Sequence, residues 1–153
     1  MVTDDTGEYL IVSSARAAIY TTDGATWNKL DCFLEWHSPT GYVDPDDVWD
    51  NEYHAYDDDT TTSATSYVSG TAPVWSSFLE LTIAEQNIDR VRYYVGNTYF
   101  DQIDIDLYYN AQWNDLYEGT FTADQWVNIS TGLRTVTAAR IRMRRSDAAS
   151  QIA

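Results

Sequence analysis

Apolar and polar residues alternate along most of the second half of the chain. In the segment Gln102–Tyr109, isoleucine and leucine occupy alternate positions, with Asp104 and Asp106 between them. Alternation with a period of two predicts a β-strand that turns one face to the core and the other outward. The same pattern predicts strands at Ser76–Ile83, Ile88–Val95, Gln102–Tyr109, Trp113–Glu118, Trp126–Ile129 and Thr135–Arg145.

The first third of the chain carries shorter strand signals. Glu8–Ser14 and Ala17–Thr22 are short apolar stretches, and the Asp23-Gly24 pair that follows them is typical of a tight turn. No window sustains the apolar spacing of a long helix. Twelve tyrosines, six tryptophans and abundant threonine and valine also favour pleated strands. The pattern therefore predicts an all-β sandwich or barrel.

The net charge of −15 is concentrated in the first 60 residues, which hold 14 carboxylates against Arg16 and Lys29. Such a field opposes DNA or RNA, whose phosphates need lysine and arginine to displace counterions, so we expect no nucleic-acid partner. No apolar run approaches the roughly 20 residues of a membrane-spanning helix, so we expect no membrane partner. Cys32 is the only cysteine, which excludes a disulfide within the chain.

Residues Glu52–Ala64 form what we call the acidic loop, in which three consecutive aspartates precede three threonines. The three carboxylates repel one another unless a cation or hydrogen-bond donors lie among them. Oxygen atoms of aspartate, threonine and the backbone are the ligands that Ca²⁺ takes in proteins. The residues alone leave three interpretations open: a functional site, a calcium-binding staple and a solvated acidic turn.

No motif of a known catalytic site occurs in the chain. A Gly-x-Ser-x-Gly turn, a phosphate-binding loop, a His-Glu-x-x-His helix and a Cys-x-x-Cys pair are all missing. The aspartate run also lacks the glycine and the final glutamate of an EF-hand loop. We therefore expect that the protein is not an enzyme.

Three segments resemble the discoidin or galactose-binding-like jelly-roll domains: Ala55-Tyr-Asp-Asp-Asp-Thr-Thr-Thr-Ser-Ala64, Trp75-Ser-Ser-Phe-Leu-Glu-Leu81 and Arg90-Val-Arg-Tyr93. Two later segments, Ile103–Tyr109 and Trp113–Gly119, also resemble domains of phage and environmental virion proteins. The resemblance implies an all-β, jelly-roll β-sandwich over residues 32–153. A small N-terminal β-hairpin extension over residues 1–31 would precede it.

The resemblance also implies a metal site and a ligand surface. By position, Asp57, Asp59 and Thr62 match the loop that commonly holds a structural calcium in the superfamily, which makes calcium the candidate cofactor. Asp58 stands where the family usually has a glycine. A glycan would stack its C–H face on an aromatic ring, and the side chains placed to offer such a ring are Tyr42, Trp49, Trp75 and Trp113.

Together these expectations describe a non-catalytic structural protein of a virion surface, of the capsid-decoration, fibre or tail-adhesion type, with a glycan as candidate ligand. The expected location is the virion surface or the extracellular space. The expected partners are other virion or surface proteins and further copies of the chain in a homo-oligomer. The arginines of Arg140–Arg145 are expected to face an acidic partner. The alternative is a carbohydrate-binding module of an extracellular hydrolase.

Overall fold

A computed structural model describes residues 2–3, 9–12, 18–21, 28–30, 36–68, 70–96 and 98–146, the first four ranges as backbone only. These described residues include no helix that is long and apolar enough to cross a membrane. The elements of these ranges are a 3₁₀ helix at Glu52–Ala55 and strands at Val2–Thr3 (β1), Tyr9–Val12 (β2), Ala18–Thr21 (β3), Asn28–Leu30 (β4), Gly41–Val43 (β5), Trp49–Asp50 (β6), Thr65–Ser66 (β7), Val74–Trp75 (β8), Leu79–Tyr94 (β9), Gln102–Tyr109 (β10), Gln112–Thr120 (β11) and Trp126–Arg145 (β12).

The chain forms two compact units, Met1–Trp36 and His37–Ala153. In the first unit, β1 to β4 make an antiparallel sheet in chain order, so the expected hairpin belongs to a four-stranded sheet. The Asp23-Gly24 pair and Cys32 lie outside the described residues. The predicted domain boundary between residues 31 and 32 stays a prediction.

The second unit is built on one antiparallel sheet with the strand order β11-β10-β12-β9-β5. β8 extends this sheet by pairing with the end of β12, and β6 and β7 form a separate pair. β5 lies outside the strands that the sequence predicted, and it pairs with β9 from Gly41 to Val43. The prediction of an all-β fold is confirmed.

β9 and β12 pair with each other along nearly their whole lengths and form what we call the ribbon. The sequence predicted two strands in place of each, and the predicted breaks were wrong. The register shifts between Ser130 and Arg134 and again between Val136 and Ala138. Such irregularities bend a strand without ending its hydrogen-bond ladder. The residues between the predicted strands, 84–87 in β9 and 130–134 in β12, therefore form a bend rather than a loop.

The ribbon folds back over its own sheet and so makes the two layers of a sandwich. Tyr93 lies 14 residues beyond Leu79 in β9, a distance of about 46 Å in a straight strand at about 3.3 Å per residue. Tyr93 nevertheless packs with Ile103 and Ile105 of β10. Those residues pair with the opposite end of β12, at Met143 and Ile141. The predicted sandwich is confirmed, and its layers are largely two halves of one ribbon.

The core lies between these layers. Its buried members are Tyr93, Val95, Ile103 and Ile105, and the partly buried residues packed against them are Leu116, Tyr117, Phe121, Val127, Ile129, Ile141 and Met143. Full burial of a large apolar side chain stabilises a fold by roughly 1.5–3 kcal/mol. This cluster therefore supplies the driving force that holds the ribbon in its folded-back shape.

The opposite face of β10 is buried as well, against the prediction that its carboxylates point to solvent. Asp104 and Asp106 are only 4% and 6% exposed. Arg142 Nε donates to Asp104 Oδ2 at 2.8 Å, and Arg140 Nε donates to Asp106 Oδ2 at 2.7 Å. Arginines and carboxylates thus pair across the strands, and the pairs lie beneath a covering layer.

Aromatic rings supply that covering layer. The Arg140 guanidinium lies 3.9 Å from the Phe78 ring centroid and 4.5 Å from that of Trp113. Arg142 lies 4.4 Å from Phe78 and 4.6 Å from Trp75. We call this alternating stack of two guanidinium groups and three rings the arginine ladder. The expectation that these two arginines await an acidic partner is corrected, because β10 of the same chain supplies their carboxylates.

Burial raises the pKa of Asp104 above its ordinary value, and the nearby carboxylates of Asp106 and Glu118 add to the rise. The hydrogen bond from Arg142 acts in the opposite direction and does not cancel it. A raised pKa means that the ionised form of this group opposes folding, increasingly as the pH rises through its value in the folded state. The ion pair therefore compensates for a buried charge rather than adding net stability.

Removing the Arg142 guanidinium should destabilise the protein strongly, because Asp104 would be left buried without its counter-ion. We expect Arg142→Ala to lower the free energy of unfolding by about 3 kcal/mol. The matched control is Arg134→Ala, an exposed arginine of the same strand, which should change it by less than about 0.5 kcal/mol. Urea denaturation followed by tryptophan fluorescence measures both, and equal losses in the two variants would contradict the buried-pair account.

Candidate functional site

Hydrogen bonds to Asp57 close the acidic loop. His54 Nδ1 lies 2.8 Å from Asp57 Oδ2, Thr62 Oγ1 donates to the same oxygen at 2.7 Å, and the Asp59 backbone N–H donates to Oδ1 at 2.9 Å. The 3₁₀ turn at Glu52–Ala55 places His54 where it can reach this carboxylate. Short polar side chains of this kind commonly fix a turn by bonding to nearby backbone groups.

These donors lower the pKa of Asp57 to about 2, the hydrogen bond from His54 contributing most, followed by those from Asp59 and Thr62. Hydrogen bonds from the Thr61 side chain and backbone likewise lower the pKa of Asp59. A carboxyl group whose pKa is depressed in the folded state stabilises it above the ordinary pKa of 3.8. That stabilisation is lost as the pH falls from there toward 2.

The three predicted calcium ligands lie together. Thr62 Oγ1 is 2.7 Å from Asp57 Oδ2 and 2.9 Å from the Asp59 carbonyl oxygen. Oxygen donors of this kind suit Ca²⁺, which takes roughly six to eight of them. In the observed arrangement both carboxylates are already occupied by N–H and O–H donors, which a cation would have to displace. The hydrogen bonds thus favour the uncoordinated loop, and calcium stays a prediction.

Asp58, in the middle of the loop, points away from this hydrogen-bond network and toward the ribbon. Its φ of 61° puts it in the left-handed region, which only a few per cent of non-glycine residues adopt. In this conformation Asp58 Oδ1 accepts a hydrogen bond from Arg92 at 2.8 Å. The loop is therefore tied to β9 by an ion pair.

Arg92 in turn lies against an exposed tryptophan. Its guanidinium is 4.3 Å from the ring centroid of Trp126, and the Trp126 and Tyr94 rings are 5.6 Å apart. Arg92 pairs with Asn128 across the ribbon, and Tyr94 pairs with Trp126. Because alternate residues share a face, these four side chains lie on one surface, which we call the outer ribbon face.

The outer ribbon face is open to solvent, since the opposite side of the same strands packs into the core through Tyr93, Val127 and Ile129. Trp126 is 41% exposed, and Asn128 is also exposed. The face thus offers an aromatic ring flanked by an amide, a guanidinium and a carboxylate. Such a surface can stack on an apolar ligand face and hydrogen-bond to its polar substituents.

Three of the four aromatic residues predicted to face a ligand make contacts within the protein. Trp49 is 6% exposed and donates its indole N–H to the Ser77 carbonyl oxygen at 3.1 Å. Trp75 and Trp113 belong to the arginine ladder. Tyr42 is 42% exposed, with the Tyr56 ring 6.5 Å away. Because Trp49 is buried, it does not offer a surface for stacking. The exposed ring of Tyr42 lies beside Tyr56 of the acidic loop.

The sequence reasoning missed Trp126, Asn128 and the role of Arg92. Alternation did place Arg90 and Arg92 on the polar face of their strand. It held no information on which strand lies beside them, because cross-strand neighbours depend on register. The available signal was that the Trp126 strand also alternates, with the polar Asn128 on the same side as the tryptophan.

A second group of carboxylates, Asp104, Asp106 and Asp115, has oxygens within 4.8 Å of one another. Close carboxylates are the apparatus of glycoside hydrolysis. Here Asp104 and Asp106 are paired with Arg142 and Arg140 beneath the rings of the arginine ladder. A substrate would have to displace those rings to reach Asp104 and Asp106, so these two carboxylates have a structural role, whereas Asp115 is exposed.

Comparison with known proteins gives limited likeness. No protein-family model matches the chain, and no curated protein matches it. The X-ray crystal structure of chitosan-binding module 1 derived from a chitosanase/glucanase of Paenibacillus sp. IK-5 is similar, with 17% sequence identity and a TM-score of 0.49. The match covers 61% of this chain and 71% of that chain. The ligand of that module is not carried over, and membership of the galactose-binding-like family stays a prediction.

Replacing His54 should raise the pKa of Asp57, because its largest depressing contact is removed. In His54→Phe, which keeps a ring beside Tyr53, we expect the pKa to move from about 2 toward 3.8. The matched control is His37→Phe, since His37 lies outside the loop's hydrogen-bond network and should leave this pKa unchanged. Carbon-detected NMR titration of the Asp57 carboxyl measures the shift. An unaltered midpoint in His54→Phe would contradict the assigned cause.

Proposed function

We propose that this protein is a non-catalytic glycan-binding domain and that the outer ribbon face is its binding site. The observation that carries the proposal is Trp126, an indole 41% exposed on a rigid strand, with Arg92 4.3 Å from its ring. Exposed tryptophans of this kind are enriched in binding surfaces because they combine a large apolar ring with a polar N–H.

A sugar suits this surface better than a purely apolar ligand does. One face of a pyranose ring presents C–H groups that stack on an indole, and its rim carries hydroxyl groups. Asn128 offers both a donor and an acceptor beside the ring, and Asp58 offers an acceptor. An apolar ligand would leave these groups without partners when it excluded water from them.

The charge around the site favours neutral or cationic glycans. Residues 37–68 carry eight aspartates and glutamates and no lysine or arginine. The acidic loop belongs to this segment and reaches the outer ribbon face through Asp58. Its field repels sulfated or carboxylated sugars, with a strength that falls as salt screens it.

The absence of catalysis is part of the proposal. It is supported by Asp104 and Asp106, two neighbouring carboxylates that are both buried and paired with arginines. Asp57, at the centre of the acidic loop, is held in its ionised form by His54 and Thr62 and would not act as a proton donor near neutral pH.

The setting of the domain is a further part of the proposal. A virion-surface protein that assembles as a homo-oligomer remains the expectation from the resemblance of Ala55–Ala64 and Trp75–Leu81. In the alternative setting, a carbohydrate-binding module of an extracellular hydrolase, the domain would bind a glycan through the same outer ribbon face. The outer ribbon face supports glycan binding in both settings and does not favour either.

Trp126→Ala should reduce glycan binding by at least about tenfold, since a central aromatic anchor typically contributes about 2 kcal/mol or more. The matched control is Tyr67→Ala, because Tyr67 is 59% exposed and directly follows β7, so it belongs to neither strand of the ribbon. A glycan array followed by titration calorimetry on the strongest ligand provides the measurement. Silence of the wild-type protein across the array would contradict glycan binding and favour a purely structural role.

A structural calcium at Asp57, Asp59 and Thr62 is a separate proposal, supported by the resemblance and by the convergence of their oxygens. If calcium binds there, it stabilises the folded state in proportion to its occupancy. EDTA should then lower the melting temperature of the wild-type protein. The double variant Asp57→Asn with Asp59→Asn should not respond. An unchanged wild-type melting temperature would leave the loop as a hydrogen-bonded turn.

A further inference from the structure

We infer that Asp58 determines the charge class of glycan that the outer ribbon face accepts, and that it does so through Arg92. The inference rests on the proposed function and deepens it. Asp58 counterbalances the guanidinium beside Trp126, so the site takes neutral sugars and rejects their uronic-acid counterparts.

The first step is that the acidic loop aims Asp58. Asp57 on one side is fixed by His54, Thr62 and the Asp59 backbone N–H. Asp59 on the other side is fixed by the hydroxyl and the backbone N–H of Thr61. Between these anchors Asp58 adopts its left-handed conformation, and its carboxylate reaches Arg92 at 2.8 Å although the side chain is 57% exposed. Strained backbone of this kind persists only where the surroundings enforce it.

The second step is that Arg92 contacts both the loop and the platform. Its guanidinium donates a hydrogen bond to the Asp58 carboxylate on one side and lies 4.3 Å from the Trp126 ring centroid. A sugar that stacks on the exposed part of this ring therefore comes within reach of the guanidinium. The charge at Arg92 therefore acts directly on the substituents at the edge of the sugar.

The third step is electrostatic. Arginine binds carboxylates through two parallel N–H···O bonds, and an arginine beside an aromatic platform would favour acidic sugars. Asp58 occupies the guanidinium with a carboxylate from the chain itself. Removing that one negative charge makes the vicinity of the ring one unit more positive, whatever other contacts Arg92 makes. Asp58 therefore sets the specificity, and Trp126 provides the stacking surface.

The test uses the full chain and a glycan array with matched pairs that differ only at C6, galactose with galacturonate and glucose with glucuronate. Asp58→Asn is the test variant, since asparagine tolerates the left-handed conformation and keeps the side-chain size. Asp59→Asn removes the same charge one residue away without touching Arg92. Asparagine keeps the side-chain oxygen that accepts from Thr61, so the loop stays anchored and the variant serves as the matched control. Measurements at low ionic strength avoid screening of an exposed pair.

We expect Asp58→Asn to shift the ratio of uronate to neutral affinity by about tenfold in favour of the uronate, the order of one charge-assisted hydrogen bond. Asp59→Asn should shift it by less than about threefold. Adding Arg92→Gln to Asp58→Asn should abolish the gain, because the guanidinium that binds the uronate is gone. Circular dichroism confirms that each variant keeps its strands.

Four outcomes overturn the inference. Equal shifts in Asp58→Asn and Asp59→Asn would show a general field effect of the loop. A gain that survives Arg92→Gln would place the uronate elsewhere. A wild-type protein that binds neutral sugars through Trp126 while Asp58→Asn leaves the ratio unchanged would overturn this inference alone. A wild-type protein that binds no sugar would overturn the proposed function together with it.

Discussion

Burial of one apolar cluster between two halves of the same ribbon is the constraint on which the rest of the structure depends. Tyr93 and Val127 sit near the far end of the β9–β12 ribbon, and they reach Ile103 and Ile105 only because the ribbon bends back. The bend needs the register shifts after Ser130 and Val136, where the ladder absorbs a change of direction. Without this bend, the half of the ribbon that carries Tyr93 and Val127 would have no core to pack against, and its two faces would not differ in exposure.

The inner strand β10 lies between two different environments. One of its faces carries isoleucine and leucine into the apolar core, and its other face carries Asp104 and Asp106 into a layer of arginines and aromatic rings. Pairing each carboxylate with an arginine, and covering each arginine with rings, lets a charged layer be buried. Among the tryptophans that the structure describes, Trp75 and Trp113 consequently belong to the ladder, whereas Trp126 lies on the surface.

The acidic loop combines mutual repulsion with a large number of internal hydrogen bonds. Three adjacent carboxylates are tolerated because Asp57 and Asp59 each accept bonds from His54 or the threonines, while Asp58 pairs with Arg92. The other hydrogen bonds of Asp57 and Asp59 join residues within the loop. Arg92, which lies 34 residues beyond Asp58 in the chain, connects the loop to the ring of Trp126. The loop contributes to the candidate site by placing one carboxylate rather than by presenting all three.

Sequence alone determined the strand class and the facing of residues within each strand, because a period of two follows directly from backbone geometry. It placed β10 at its observed bounds. It could not determine which residues become neighbours across strands, since register and bending arise from packing between segments far apart in the chain. Tertiary structure therefore decided that Asp104 is buried, that Trp49 belongs to the interior and that Arg92 lies between Asp58 and Trp126.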